Sequence, residues 1–582
     1  MWARSHGFGP FVHPEELGSS SAALYLGGLC RHLSLASISM KLRPDRAITP
    51  SPRRRGIFRF LAATLVASTV LLVTPPAARA QSRVAAELRT RAERTDFVET
   101  STYADVMELS SRIAELSDEI HLTTFGYTNE GRALPLLVVG AADASPEAVR
   151  ATGKTRVYLQ GNIHAGEVCG KEALLMLLRE YADGGYPRWT DDLVLLVAPI
   201  YNADGNERVD LGNRPRQHGP IGGMGQRPNA QGLDLNRDHM KLDSPEARSL
   251  VAMMTAYDPH VGVDLHTTNG TRHAYHLTYS PPLHPNTPAV IDHFLRDEWL
   301  PTVTRRIKET HGWDYYYYGN HNPRRPGWYT FDHRPRFNNN YIGLRNRMAI
   351  LSEAYAYATF EDRVLGTLWF LEEILNFAQE RATDIRETVD EAERESVVGR
   401  RLATRADFER SPQEVTILMG EVDEERHPYT GEIVLRRRDV STPTPMFEYG
   451  TFAPSETEVA PEAYYILPEA EAAIERMRAH GLTVLPAVPG QGVTLERFRI
   501  DSTVVAPRPF QGRSERTLFG SWEASTERVP AGTVAVPVDQ PLGRLAFTLL
   551  EPRSDDGLAN WAILDESIEA GRYPILRSAS AR

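Results

Sequence analysis

Cysteine is almost absent from this chain, which has only Cys30 and Cys169 among its 582 residues. If cleavage of an N-terminal targeting segment removes Cys30, no intramolecular disulfide is possible, and the hydrophobic core alone must stabilise the fold. Cys169 opens an apolar helical run, where a buried structural thiol is the commoner case than a nucleophile. The sequence also lacks internal repeats, low-complexity tracts and a series of long apolar runs, which excludes a fibrous, disordered or multi-spanning protein.

The net charge is negative beyond the N-terminus. The chain carries −11 at neutral pH, and residues 1–80 hold 10 Lys and Arg against 3 Asp and Glu, a balance of +7 that leaves −18 for the rest. This balance argues against a nucleic-acid partner. With 41% hydrophobic and 24% charged residues, the chain has enough apolar material for a large core and more than one domain.

Residues 1–80 have the features of an N-terminal extension and signal peptide. The arginine-rich segment 53–59 precedes the apolar run 60–73, and PPAARA then ends at Ala80. These features predict cleavage near Ala80, export to the periplasm or the extracellular space, and no stable membrane insertion afterwards. An uncleaved anchor is the alternative. Residues 1–39 do not resemble a signal peptide, so Met40 is an alternative start to Met1.

From about residue 100 to 380, short apolar runs alternate with amphipathic helical patterns, which predicts an α/β fold with a mixed, largely parallel sheet. Helices are expected over EVCGKEALLMLLREYADGG and SPEARSLVAMMTAYD, the second with Ser244 as its N-cap, and over the long stretch after residue 360. The predicted strands are 156–164, 193–202, 260–268 and 347–357.

Beyond residue 400 the pattern changes to short runs with Pro and Gly turns and one short helix, PEAEAAIERMRAHG. We read VTILMG, GEIVLRRR, TVLPAV, GTVAVPV and RLAFTLLE as strands, and predict a mostly β accessory domain over 400–582 whose role the sequence does not reveal. The α/β domain that precedes it is predicted over 95–385.

Polar residues gather where the predicted strands end, namely His164, Asn202 and Asp204, His266, and Glu353. Ligands and catalysis in open α/β sheets lie at the carboxyl ends of strands. A catalytic zinc ion needs three His or carboxylate ligands and an open position, and His164, Glu167 and His266 supply such a set from one turn and one distant strand. Asp234 is a candidate to hold the second nitrogen of a ligand imidazole.

Glu353 lies in the apolar segment AILSEAY, where an isolated carboxylate is costly to bury unless it has chemical work, such as that of a general base. Its structural alternative is an ion pair with Arg345 or Arg347. Asn236 and Arg237 form an amide and guanidinium pair that can hold a carboxylate such as a peptide C-terminus, although such a pair is more often a surface turn.

The ordered set of motifs resembles the zinc metallocarboxypeptidases of the carboxypeptidase A type, over roughly residues 95–380. The motifs are His164-x-x-Glu167, Asn202-Ala-Asp204-Gly205, Asp234-Leu-Asn236-Arg237, Asp264-Leu-His266-Thr and Glu353. The resemblance, to a secreted bacterial member, implies an α/β/α sandwich and one Zn²⁺ held by His164, Glu167 and His266. It also implies Glu353 as general base and acid, and Asn236 and Arg237 as the grip on the substrate's terminal carboxylate.

The family also has an arginine that polarises the scissile carbonyl and a tyrosine that caps the substrate. For the first we favour Arg214 over Arg216. For the second, Tyr329 and Tyr341 are only guesses within the aromatic segment 313–341, which is equally a lid or a packed loop. His239 is a candidate to line the pocket, and His273 and His276 are expected in its walls rather than on a second metal.

Three functions compete at this point. The first is a zinc carboxypeptidase that releases C-terminal residues from peptides. The second is a zinc amidase or deacylase acting on small acyl-amino acids or cell-wall peptides. The third is a non-catalytic binding protein, which the presence of all three ligands and the base disfavours. The sequence leaves open the preferred terminal side chain and the oligomeric state.

Overall fold

The computed structural model describes residues 88–487, 494–526 and 529–579, and all of these belong to one compact unit. The predicted signal peptide, its cleavage point and both candidate start sites lie outside these ranges. Within them, no helix is both long and apolar enough to cross a membrane.

The described chain contains 22 strands and 14 α-helices. The strands are β1 Ile120–Tyr127, β2 Ala133–Val139, β3 Thr155–Gly161, β4 Leu193–Ala198, β5 Val261–Thr267, β6 Leu277–Ser280, β7 Tyr315–Tyr317, β8 Asn320–Asn322, β9 Arg325–Tyr329, β10 Met348–Ala354, β11 Arg401–Glu409, β12 Glu414–Met419, β13 Val422–Arg426, β14 Ile433–Arg437, β15 Thr442–Tyr449, β16 Thr451–Val459, β17 Ala463–Ile466, β18 Leu485–Pro486, β19 Leu495–Val505, β20 Arg516–Ser525, β21 Val534–Pro537 and β22 Ile575–Ser578. The helices are α1 Arg91–Arg94, α2 Tyr103–Ala114, α3 Pro146–Ala151, α4 Cys169–Ala182, α5 Ala203–Asn206, α6 Pro245–Tyr257, α7 Ala289–His293, α8 Leu300–His311, α9 Asn338–Leu344, α10 Phe360–Glu380, α11 Ala382–Arg394, α12 Glu471–Ala479, α13 Gly543–Leu550 and α14 Asp565–Glu569.

The main sheet has eight strands in the order β1-β2-β4-β3-β5-β10-β6-β7. Its four central strands, β4, β3, β5 and β10, run parallel, while β1, β2 and β6 pair antiparallel with their inner neighbours. The predicted mixed, largely parallel sheet is therefore confirmed. The order places the carboxyl ends of β3, β5 and β10 side by side, so residues distant in sequence meet at one edge of the sheet.

Two hydrophobic cores cover the two faces of this sheet. Successive residues of a strand point to opposite faces, so Leu159 enters one core and Tyr158 enters the other. The first core packs against α2, α4 and α10. The second packs against α6 and α9, which completes an α/β/α arrangement. Ser244 caps α6 as predicted, since its hydroxyl accepts a hydrogen bond from the amide of Ala247 at 3.1 Å.

The C-terminal region shares the second core with the main sheet. Phe547 from α13, the following Trp561 and Ile575 of β22 are fully buried in the same cluster as Leu196 of the central sheet. The C-terminal region is rich in strands, as predicted. The boundary between a catalytic and an accessory domain stays a prediction, because the two regions pack into one core.

One predicted strand is wrong. The run RLAFTLLE forms α13, in which all eight residues are buried. The run is short and mostly apolar, and over so few residues a buried helix and a buried strand are difficult to distinguish from the sequence. A further helix that we did not predict, α14, follows it, and the long helical pattern after residue 360 is divided at Arg381 into α10 and α11.

Candidate metal and substrate site

His164 and Glu167 lie in the tight turn that joins β3 to α4. Asn162 enters this turn with a left-handed backbone (φ 66°), and the amide of Glu167 donates to the carbonyl of His164 at 2.9 Å. Gly166 between them has no room for a side chain, because a Cβ there would lie 2.7 Å from the carbonyl oxygen of Gly225. The glycine therefore lets the neighbouring loop close over the turn and turns both side chains toward one point.

The third member of the group, His266, comes from the carboxyl end of β5. One ligand atom from each of His164, Glu167 and His266 lies within 4.8 Å of the other two, and all three side chains are buried. Glu167 Oε1 is 3.0 Å from His164 Nδ1, and its Oε2 is 2.8 Å from His266 Nδ1. The structure thus brings together the three residues for which the sequence predicts a shared metal ion.

A carboxylate orients each imidazole from behind. His164 Nε2 is 3.0 Å from Asp234 Oδ1, and His266 Nε2 is 2.9 Å from Asp264 Oδ2. Burial would raise the pKa of Asp234, but the charges of Arg227 and His164 hold it well below its usual value. Asp264 was part of the recognised motif, but sequence reasoning gave it no role. Its position two residues before His266, on the same face of β5, was the signal that could have revealed one.

The donor set fits a divalent cation. Because each Nε2 faces a carboxylate, both Nδ1 atoms point inward, where they lie only 3.3 Å apart beside the Glu167 carboxylate. Imidazole nitrogens and a carboxylate that face one point are the donor types that a divalent cation such as zinc binds. Burial alone would lower the pKa of His266, but Asp264 and Glu167 hold it well above its usual value.

Glu353 lies directly beside His266, because β10 and β5 are paired in parallel with these two residues in register. Its Oε2 atom is buried and has no hydrogen-bond partner among the described residues. Burial raises the pKa of Glu353 to about 8, and Glu167 adds to the effect while His266 opposes it. Glu353 does not form the alternative ion pair with Arg345 or Arg347. Arg347 pairs with Asp258, and Arg345 donates to the carbonyl of His480.

Asn236 and Arg237 lie on a 3₁₀ turn that Asp234 caps, next to the metal-ligand cluster. The side-chain oxygen of Asn236 accepts from the amide of Asn338 at 2.8 Å, so its NH₂ group is the end left for a substrate. The Arg237 guanidinium stacks over the Phe337 ring at 3.8 Å. Burial lowers the pKa of Arg237 to about 10, which still leaves it charged at neutral pH.

Two arginines reach the metal-ligand cluster. Arg214 Nη2 donates to Glu167 Oε1 at 2.7 Å, whereas Arg216 is exposed and its carbonyl accepts from the amide of Leu435. Arg227, which sequence reasoning did not consider, bonds Asp234 at 2.9 Å and has its Nη1 3.9 Å from Glu167. Its place between the first ligand pair and Asn236 was the only sequence signal for it.

Of the tyrosines in the aromatic segment, Tyr318 is the one whose pKa is affected by the charged residues of the site. Burial raises its pKa, and the charges of Glu353 and Glu167 raise it further. The two tyrosines named from the sequence are engaged elsewhere, since Tyr341 meets His480 Nδ1 at 2.8 Å and Tyr329 stacks on Tyr449. The surrounding sequence does not distinguish Tyr318 from the adjacent tyrosines.

The remaining histidines and the cysteine have local packing partners. His239 Nδ1 donates to the carbonyl of Arg336 at 3.1 Å, His273 packs on Tyr355, and His276 stacks on Trp313. Cys169 is buried, and burial raises the pKa of its thiol. Among the residues that the structure describes, the three-residue cluster is the single group able to hold a metal ion.

Two imidazoles and a carboxylate meet at the carboxyl edge of an α/β sheet, and this is the type of donor set that metal-dependent hydrolases use. The sequence model of the zinc carboxypeptidase family matches residues 107–332, which include the three ligand residues, Asn236 and Arg237 but end before Glu353. Residues 107–332 therefore resemble the zinc carboxypeptidase family, and this match, together with the carboxypeptidase relatives, makes the chain an enzyme of the peptide hydrolase class.

The individual relatives that the chain resembles are also carboxypeptidases. Carboxypeptidase 2 of Trichophyton tonsurans is 24% identical over 477 residues, covering 77% of this chain and 81% of the relative. Carboxypeptidase E of Caenorhabditis elegans is 31% identical over 159 residues, which are 26% of this chain and 32% of the relative. A solved metallo-carboxypeptidase from Burkholderia cenocepacia is 16% identical with a TM-score of 0.37, over 48% of this chain and 70% of that one. The fungal relatives do not support the bacterial source expected from the resemblance.

Proposed function

We propose that this protein is a zinc-dependent metallocarboxypeptidase that hydrolyses the C-terminal residue from peptides. His164, Glu167 and His266 would hold the zinc ion, and Glu353 would act as general base. The observation that carries the proposal is the buried, unpartnered Oε2 of Glu353 in register with His266. A carboxylate oxygen left without a protein partner beside a three-ligand cluster is costly, unless a water or a substrate occupies that space.

Zinc, when bound, supplies an activated water and polarisation of the scissile carbonyl. The protein supplies the proton transfer, in which Glu353 takes a proton from the attacking water and returns it to the leaving amine. Burial raises the pKa of Glu353 to about 8, near the pH at which such a group must both accept and release a proton. Arg214, which has one guanidinium nitrogen on Glu167 Oε1, is our candidate to stabilise the developing oxyanion, and Arg227, 3.9 Å from the same oxygen, is the alternative.

The substrate grip would come from the outward NH₂ group of Asn236 and the guanidinium of Arg237. A planar guanidinium and an amide together can donate paired hydrogen bonds to a carboxylate, which an exopeptidase needs in order to recognise a chain end. Tyr318 borders the same space and is a candidate to contact the substrate. We further propose that the enzyme is exported, since the N-terminal sequence has the pattern of a signal peptide.

Peptides that differ only at the C-terminus test this function. We expect the zinc-loaded enzyme to release single residues from peptides with a free carboxylate, at rates roughly 100-fold or more above those for the C-terminally amidated peptides, as loss of a buried charged contact implies. A chelator should abolish both rates, and zinc should restore them. Efficient cleavage of short acyl-amino acids with failure on longer peptides would instead support an amidase or deacylase.

A further inference from the structure

A single loop connects the proposed carboxylate grip to the C-terminal region. This bridging loop, residues 330–337, lies between β9 and α9. On its inner side Phe337 packs under the Arg237 guanidinium, and the next residue, Asn338, donates its amide to Asn236 Oδ1 at 2.8 Å. The loop therefore contacts both residues of the grip and fixes which end of the Asn236 amide faces the substrate.

On its outer side the bridging loop is bound by Asp556. The Asp556 carboxylate accepts from the backbone amide of Arg336 at 2.6 Å and from its Nε at 2.7 Å. Arg336 is 3% exposed and Asp556 is fully buried, so this ion pair is shielded from water. Glu515 accepts from Arg336 Nη2 at 2.7 Å, which engages the rest of the guanidinium.

Asp556 is itself fixed by its neighbours. Trp561 Nε1 donates to Asp556 Oδ1 at 2.8 Å, and the indole ring lies 4.3 Å from the Arg336 guanidinium. Trp561 belongs to the second core, so the carboxylate is held on a rigid part of the molecule. The C-terminal region therefore fixes the position of Arg336, and Arg336 in turn fixes the position of the next residue, Phe337.

A second contact from the same region reaches the other side of the grip. Gln511 Oε1 accepts from the backbone amide of Asp234 at 2.6 Å, and Arg513 binds Asp243 with two hydrogen bonds of 2.7 and 2.8 Å. The segment that carries Asn236 and Arg237 is thus held at both of its ends by residues of the loop between β19 and β20.

We propose that the C-terminal region positions the carboxylate grip, and that Asp556 is a positioning residue for substrate binding. This inference rests on the proposed function, because it concerns the recognition of a peptide's terminal carboxylate. Paired hydrogen bonds to a carboxylate require the amide and the guanidinium to be placed within a fraction of an ångström. Asp556 meets that requirement from a distance, through Arg336 and Phe337.

The test compares two variants with a matched control. Asp556→Asn removes the charge that binds Arg336, and Trp561→Phe removes the N–H that holds Asp556 together with part of the ring that faces Arg336. Glu496→Gln is the control, because it breaks the 2.7 Å pair with Arg577, also in the C-terminal region but without contact to the bridging loop. Each protein is assayed with its zinc bound, on one peptide with a free and with an amidated C-terminus.

We expect Asp556→Asn to raise KM for the free peptide by about tenfold or more with kcat changed less than about threefold, as the loss of a well-placed charged contact implies. The rate on the amidated peptide should stay unchanged, so the preference for a free carboxylate falls. Trp561→Phe should show the same change to a smaller degree, and Glu496→Gln should show none. If Asp556→Asn does not fold, Trp561→Phe decides on the same criterion.

Hydrogen exchange at the amide of Asn338 gives a readout that does not depend on activity. We expect faster exchange there in Asp556→Asn, since the bond to Asn236 loosens, and wild-type exchange in Glu496→Gln. An unchanged preference for the free carboxylate in Asp556→Asn, with the wild type selective, overturns this inference alone. A wild type that is indifferent to the carboxylate refutes the proposed function, and this inference with it.

Discussion

Two glutamates with raised pKa values, a half-buried one at the sheet edge and a fully buried one in the C-terminal region, have different roles. Burial raises the pKa of Glu353 to about 8 and that of Glu551 to about 7. Glu551 Oε1 accepts from Tyr464 at 2.6 Å and Oε2 from Trp522 at 3.3 Å, whereas Glu353 Oε2 has no such partner among the described residues. A raised pKa alone therefore does not mark a functional carboxylate, and an unpartnered oxygen beside candidate ligands is the more specific sign.

The comparison predicts its largest effect at Glu353. Glu353→Gln should lower kcat by roughly 10²- to 10⁴-fold, because the amide cannot accept the proton of the attacking water. Zinc content and thermal stability should stay close to those of the wild type, since the replacement preserves shape. Glu551→Gln is the control. In the wild type both oxygens of Glu551 have hydrogen-bond partners, and the residue is distant in sequence from the proposed ligands, so this variant should retain activity. Wild-type turnover in Glu353→Gln would remove Glu353 from the mechanism.

An intermediate effect is expected at Asp264, a buried carboxylate that orients a proposed ligand. Its two oxygens accept from His266, Asn338 and Gln160. Asp264→Asn would place an NH₂ group against one of these donors, and zinc affinity should fall by about 10- to 100-fold. A titration against a competing chelator measures the change.

The matched control for that experiment is Asp204→Asn, which alters a buried carboxylate bonded to Thr128 and Arg132. This variant should keep wild-type zinc affinity. Equal zinc affinities for Asp264→Asn and the wild type would mean that the carboxylate behind His266 does not tune the ligand.

The smallest effect concerns Glu551 and appears only as a pH dependence of stability. Because the folded-state pKa of Glu551 is raised from 4.5 to about 7, the unfolded chain ionises first as pH rises. The wild type therefore loses stability through this group between about pH 4.5 and 7, and a shift of this size corresponds to at most about 3 kcal/mol.

In Glu551→Gln we expect the loss of unfolding free energy between pH 5 and pH 8 to be smaller than in the wild type by about 1 to 3 kcal/mol. Urea unfolding at the two pH values measures the difference. Parallel pH profiles for the two proteins would show that the carboxylate is already ionised in the folded state at low pH.

The sequence was sufficient for the parts of the molecule that repeat a local pattern. The four central strands and the places of His164, Glu167, His266 and Glu353 follow from apolar runs that end in polar residues. The orienting contacts were harder, because Asp264 and Arg227 acquire their neighbours only when strands and loops from separate parts of the chain meet. Tyr318 could not be separated from adjacent tyrosines for the same reason.

The C-terminal region was predicted least well, and the reason is physical. Its α13 is a short, mostly apolar segment buried on all sides, which makes it difficult to distinguish from a strand, and its apolar residues complete a core that includes strands several hundred residues earlier. The region is therefore not a separate module, because it shares a hydrophobic core with the central sheet.

The shared second core has a consequence for the order of events during biosynthesis. Trp561, Tyr573 and Ile575 are synthesised after every proposed ligand residue, yet they pack in the same core as Leu196 and Tyr158 of the central sheet. A nascent chain that already contains every proposed ligand residue therefore lacks part of the cover for one sheet face until these residues have been added.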